Sequence, residues 1–177
     1  VGQSYLESCV QECKFVQTGG NFQINSKLTN NGTMKTSGGT FILAAEQQVE
    51  GTGLLELAGG EPKVAAALGD YTGEILLSGG SATISQIDTF PGTLRLRDGE
   101  MVSSLAGFPG RAVIDLVGRE LPYSVEGKNW LTFSAGKCVD VEVGDRKFKT
   151  GDQIVSWVTP PANLGKVRFR FANGQTG

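Results

Sequence analysis

Along most of the chain apolar and polar residues alternate in short runs, and the runs stop at glycine. Between Cys13 and about Val143 this pattern repeats with a period near 19 to 20 residues. The units read GTMKTSGGTFIL, GLLELAGGEPKV, GEILLSGGSATI, GTLRLRDGEMVS and GRAVIDLVGREL, led by Gly32, Gly53, Gly73, Gly92 and Gly110. A second glycine follows at Gly39, Gly60, Gly80, Gly99 and Gly118. Upstream, CKFVQTGGNFQI fits the frame with Cys13 in the lead slot. Downstream, NWLTFSAGKCVDVEV fits it with Asn129 in that slot and Gly136 as the corner.

Period-two alternation predicts strands. One inward column is Phe15, Met34, Leu55, Ile75, Leu94, Ala112 and Leu131. A second is Gln17, Thr36, Leu57, Leu77, Leu96, Ile114 and Phe133. The residues between them, from Val16 and Lys35 to Val113 and Thr132, are mixed and predicted to face out. Glycine then turns the chain, and a second short strand begins. Pro62 and Pro122 fall in these second strands and mark bends or edges.

A unit of this length cannot bury its inner face alone. Stacking buries it, with backbone hydrogen bonds between coils about 4.8 Å apart. The prediction is an all-β chain, a right-handed parallel β-helix of about seven regular coils plus irregular terminal coils. Residues 1–12 read as an N-terminal cap or joining segment, 13–143 as the repeats, and 144–177 as irregular coils or a cap. Strands are expected over Asp152 to Val158 and Lys166 to Phe171. The leucine-rich, hexapeptide and calcium-binding nonapeptide patterns are missing. A β-sandwich with glycine-rich turns is the alternative.

The glycine-framed array, followed by VDVEVGDRKFKTGDQIV, resembles the repeats of bacterial autotransporter passengers and related surface proteins, over about residues 13 to 158. That resemblance implies a right-handed parallel β-helix exported to the cell surface or beyond. It transfers no catalytic residue.

Composition narrows the chemistry. The 177 residues include 26 glycines and no histidine, with 16 basic against 18 acidic side chains. Without histidine the chain lacks the commonest general base and metal ligand. A net charge of −2 gives no reason to expect nucleic acid. No apolar run is long enough for a membrane-spanning helix. The ends, Val1 and the polar run up to Gly177, read as those of a mature product or a piece of a longer protein.

The three cysteines are Cys9, Cys13 and Cys138. Cys9 and Cys13 would share one face if helical, making them a candidate disulfide or a pair of free thiols. A metal would lack ligands, and no cofactor is expected.

Glu61 and Glu100 occupy one column two coils apart, near 9.6 Å at about 4.8 Å per coil, the edge of the range for an inverting glycosidase. Solvated surface charge is the preferred explanation of the pair. Asp70 and Asp88 sit at matching corners, as a ledge for sugar or cation or as ordinary turn formers. Tyr71, Phe90 and Phe108 each precede a lead glycine by two residues. They are predicted to form an aromatic ladder that holds register, or, if exposed, a contact surface for sugars or another chain. Arg168 and Arg170 form a basic stripe or a guard on an edge strand.

Coils differing by only three residues leave no long loop to wall a cleft. The expectation is therefore a non-enzymatic extracellular structural or adhesive module. It would assemble with copies of itself or with neighbouring segments, and could form filaments or layers. A carbohydrate-binding or polysaccharide-active β-helix, with glycans as partners, is the alternative.

Overall fold

The computed structural model describes residues 9–11, 14–159 and 167–171. It is a parallel β-solenoid of about five regular turns followed by irregular ones. The first coil comprises β1 (Cys9–Gln11), β2 (Lys14–Gln17) and β3 (Asn21–Ile24). The second comprises β4 (Leu28–Asn30), β5 (Thr33–Thr36) and β6 (Thr40–Leu43). The third comprises β7 (Gln48–Gly51), β8 (Leu54–Ala58) and β9 (Lys63–Val64), a strand that starts only after Pro62. Then come β10 (Ala67–Tyr71) and β11 (Glu74–Ile84), a long strand that bends through Gly79-Gly80 to serve two sides. A 3-10 turn at Ile87–Thr89 replaces the next short strand, and β12 (Thr93–Met101) closes the regular part.

All pairings are parallel. One side is β1-β4-β7-β10, and a second is β3-β6-β9 continuing into the end of β11. The long side runs β2-β5-β8-β11-β12 and continues through β13 (Arg111–Asp115), β15 (Cys138–Glu142) and β17 (Arg168–Phe171). Between those last rungs, β14 (Tyr123–Ser124) pairs, among the described residues, only with β16 (Val155–Ser156).

Leu55, Ile75 and Leu94 lie directly over one another, as the glycine period predicted. The full column is Phe15, Met34, Leu55, Ile75, Leu94, Ala112, Val139 and Phe169. From Met34 to Val139 its side chains are buried. Each rung alone exposes this row; stacking removes it from water.

The seventh unit departs from expectation. Val139, not Leu131, stands over Ala112, so this coil takes 27 residues, and the next, from Val139 to Phe169, takes 30. The chain from Asn129 to Gly136 forms turns rather than a rung. Trp130, Leu131 and Phe133 are nevertheless buried, plugging the core from a loop. The expected near-uniform coil length therefore holds only through the regular part. At the other end, Cys9–Gln11 pairs with β4, so the sheet begins before residue 13.

Two kinds of glycine make the corners. At Gly60, φ is +70°, and a methyl group would run into the Gly39 carbonyl oxygen of the coil below. That carbonyl accepts the Glu61 N–H of the coil above (3.4 Å), so the close approach is part of the ladder. At Gly92 the backbone is ordinary, but a methyl would collide with the Gly73 carbonyl and lie 2.5 Å from Cε2 of Phe90. The ring of Phe90 folds back over the glycine two residues later. Tyr71 over Gly73 and Phe108 over Gly110 repeat the arrangement, which is the physical reason for the aromatic-x-Gly spacing.

Candidate functional site

The aromatic corner lies inside the solenoid. Ring centroids are 5.8 Å apart for Tyr71 and Phe90 and 5.9 Å for Phe90 and Phe108, both stacked, and Phe133 continues the row at 6.3 Å. Tyr71 and Phe90 are fully buried and Phe108 nearly so, which leaves no ring face for a ligand. The corner column below Tyr71 holds Gly51 and Asn30. Across Gly51, Asn30 Nδ2 donates to the Tyr71 hydroxyl (3.0 Å), which itself donates to the Gly53 carbonyl (2.6 Å). Burial pushes the Tyr71 hydroxyl far above the ordinary tyrosine range. Above, Lys137 Nζ sits 4.7 Å from the Phe108 ring centroid and donates to the Phe108 carbonyl (3.0 Å) and to that of Gly110.

The outer face of the long side carries most of the charge chemistry. Lys35 pairs with Glu56 (2.8 Å), and the Ser78 hydroxyl donates to the same carboxylate (2.9 Å). Burial lifts the Glu56 carboxyl, but Lys35 and Ser78 outweigh it and hold it below its usual value. Arg95 reaches Glu74 on β11 (3.0 Å) and, across β13, Glu142 on β15 (2.5 Å). Its side chain passes the β13 rung, where the outward Val113 has no exposure at all. Arg97 grips Asp115 (2.6 Å), and Asp140 sits between Arg111 (2.8 Å) and Arg170 (2.7 Å). Asp115 and Asp140 are only 2% and 4% exposed. Burial raises the Asp140 carboxyl, and the two arginines more than reverse that, leaving it below the ordinary aspartate range.

A second cluster surrounds Asp98. It accepts from Lys128 Nζ (3.0 Å), the Tyr123 hydroxyl (3.1 Å) and the Gly99 N–H (2.8 Å), with Arg119 at 3.5 Å. The Tyr123 ring stacks on Trp130 at 5.8 Å, and Lys128 lies over both rings. Burial raises the Asp98 carboxyl less than Lys128, Gly99 and Tyr123 lower it, so it stays ionised below its ordinary range. Tyr123 is shifted upward, by burial first.

The acidic candidates do not converge on a reaction centre. Glu61 and Glu100 flank Ser81 in one column, and the Ser81 hydroxyl donates to Glu100 (3.3 Å). Glu61 is exposed, whereas a general acid needs a carboxyl kept protonated by an apolar setting. Asp70 is exposed beside Glu50 and accepts from Gln48 Nε2; Asp88 is exposed on the 3-10 turn. No group of three metal-ligating side chains occurs among the described residues. The Cys9–Cys13 pair lies outside the described side chains, although Cys9 is in a strand rather than a helix. Cys138 is an exposed free thiol on β15.

At the C-terminal end an apolar recess of about 500 Å³ is lined by Ile114, Val141, Ile154, Val155, Val167, Phe169 and Phe171, together with Arg168. Arg168 and Arg170 lie on β17, which among the described residues is the edge of the long side, the place expected for either a basic stripe or an edge guard.

No protein-family model, curated protein or solved structure matches the chain. Among the described residues no helix is long and apolar enough to cross a membrane.

Sequence reasoning missed the Asp98 cluster and the cross-rung arginine network. Tyr123, Lys128, Asp140 and Glu142, which complete them, lie within or beyond the lengthened coil, and that coil hides their register.

Proposed function

We propose that this chain is a non-enzymatic structural or adhesive module of an extracellular or cell-surface β-solenoid, of the autotransporter-passenger type. It acts as a spacer that joins neighbouring segments of an assembly through its ends. The observation that carries this reading is the commitment of side chains capable of chemistry to the solenoid itself. Tyr71, Phe90 and Phe108 are buried against one another, and Asp115 and Asp140 are neutralised by arginines of neighbouring rungs. Among the described residues, what stays open is an end with an apolar recess. Sedimentation and negative-stain imaging over a concentration series test the joining role. Ordered rods or layers support it, and single particles at every concentration, alone and with other solenoid segments, count against it.

A glycan-binding role has one specific point in its favour. Tyr123 is a half-buried ring with Asp98, Arg119 and Lys128 around it, the mixture of flat apolar surface and hydrogen-bonding groups that a sugar uses. A glycan array on the purified protein and on Tyr123→Ala decides it. Binding lost in the variant would establish this role, and a blank array with no reducing sugar released from polysaccharides would remove it.

A further inference from the structure

The rungs of the long side follow a charge rule. Arg95, Arg97, Arg111 and Arg170 each meet a carboxylate on a neighbouring rung. Arg168 is the exception. Its guanidinium donates to the Gly136 carbonyl (3.2 Å), its partner across β15 is Cys138, and no carboxylate reaches it among the described residues. On its other flank β17 has no paired strand among the described residues.

The backbone is also unfinished there. Arg168 N–H donates to Lys137 O (2.9 Å), so it points toward β15. By strand alternation the N–H and C=O groups of Phe169 and Phe171 point to the open flank. The Phe169 and Phe171 side chains, half-buried, face the apolar recess. An edge whose amides are unpaired among the described residues, with apolar inward and cationic outward positions, is a template for strand addition.

We infer that the open edge of β17 binds an extended segment alternating acidic and apolar residues, added in parallel as the next rung. Acidic residues lie opposite Arg168 and Arg170, and apolar ones opposite Phe169 and Phe171. The molecule already holds such a segment. In β15, Val139 and Val141 face in, Asp140 and Glu142 face out, and arginines of β12, β13 and β17 close on them. A second copy stacked head to tail does not satisfy the edge. Its β2 would set Lys14 opposite Arg168 and Gln17 opposite Phe171 in the register used by the other rungs. The inference rests on the reading of the chain as a module joined through its ends, and it narrows this join to a different partner.

The test uses the whole chain and three capped, soluble peptides whose cores read Glu-Val-Glu-Val, Lys-Val-Lys-Val and Glu-Glu-Val-Val. The alternating acidic peptide is expected to bind at least tenfold more tightly than the other two, less tightly as salt rises, and to slow amide exchange at Phe169 and Phe171. In Arg168→Glu the preference should swap to the lysine peptide. This variant removes only a contact to a carbonyl, so Arg170 still covers Asp140 and the fold persists, as an unchanged melting temperature would verify. Equal binding of all peptides, no binding, protection elsewhere, or preference unmoved in Arg168→Glu would overturn the inference. So would a homodimer that occupies this edge and excludes the peptide. Self-assembly into rods with no peptide preference would leave the structural role standing and remove this inference alone.

Discussion

The regular coils, residues 9–101, and the later turns, 102–171, build the same long sheet by different means. In the first region the backbone does the positioning. Coils step by 19 to 21 residues, and glycine corners touch the carbonyls of the coil below. In the second, coils lengthen to 27 and 30 residues, and side chains do more of it. Trp130 plugs the core with its Nε1–H on the Gly99 carbonyl (3.1 Å), and arginines span from rung to rung. A solenoid can thus keep one sheet in register after losing its repeat, provided ionic and aromatic contacts replace backbone contact.

The largest expected difference is in packing. Phe90→Ala removes the middle of a fully buried stack and should cost about 3–5 kcal/mol in urea unfolding. Phe171→Ala, on a half-buried edge, should cost less, about 1–2 kcal/mol, because that side chain is only partly removed from water. Equal costs would mean that the aromatic corner does not dominate the regular part.

The glycines come next. Gly60→Ala faces both a left-handed backbone and a carbonyl in the way, and should cost about 2–4 kcal/mol. Gly118→Ala has the same sign of φ (+75°) but nothing within 4 Å, so only the backbone penalty of about 1–2 kcal/mol applies. Thermal melts of both variants check the contrast, and identical shifts would refute it.

That contrast also explains what could be read from the sequence. Gly39, Gly60, Gly80 and Gly99 form a frame because each touches the coil before it, and contact enforces a period. Gly118 and Gly136 look the same in sequence but turn the chain in open space, so nothing ties them to the period. Extrapolation past Gly118 therefore placed Leu131 and Phe133 on a rung, where the structure has a loop. The inward columns, the parallel stacking and the ladder of Tyr71, Phe90 and Phe108 were legible because each is a local alternation at fixed spacing. The pairs Arg111–Asp140 and Arg95–Glu142 were not, since they span 29 and 47 residues across coils of unequal length.

A smaller effect is expected from the ion pairs. Arg97→Ala leaves Asp115 almost without exposure and with Arg95 only at 3.7 Å. The expected loss is about 2 kcal/mol, below the figure for a fully buried pair because Arg97 is itself half exposed. Lys35→Ala, in the regular part, breaks a pair whose carboxylate is more exposed and keeps the Ser78 hydroxyl, and should cost about 0.5 kcal/mol. Chemical denaturation of both variants ranks the regions, and a larger loss at Lys35 would reverse the assignment of ionic support to the later turns.

Acid gives the mildest separation. Asp98 and Asp140 both have lowered pKa values in the folded chain. The unfolded chain therefore takes up protons first as pH falls. Their stabilisation is complete above the ordinary carboxylate range of about 4 and is lost as pH drops through the folded values. Glu50 and Glu56 add like terms held by partners within the regular part, whereas Asp98 and Asp140 depend on partners from the later turns, Lys128 and Tyr123 for one and Arg111 and Arg170 for the other, so the attachment of the later turns is the more acid-sensitive. Partial exposure of the partners limits the difference to about 1 kcal/mol. Both tryptophans, Trp130 and Trp157, belong to the later region, so their fluorescence reports it selectively. Between pH 5 and about 3 the fluorescence midpoint in urea should fall further than the far-ultraviolet β signal, which the regular coils dominate. Coincident midpoints at every pH would show one cooperative unit in which arginine pairs and glycine corners cannot be separated. A split that opens only in acid would locate the weaker joint at the rungs around Asp98 and Asp140.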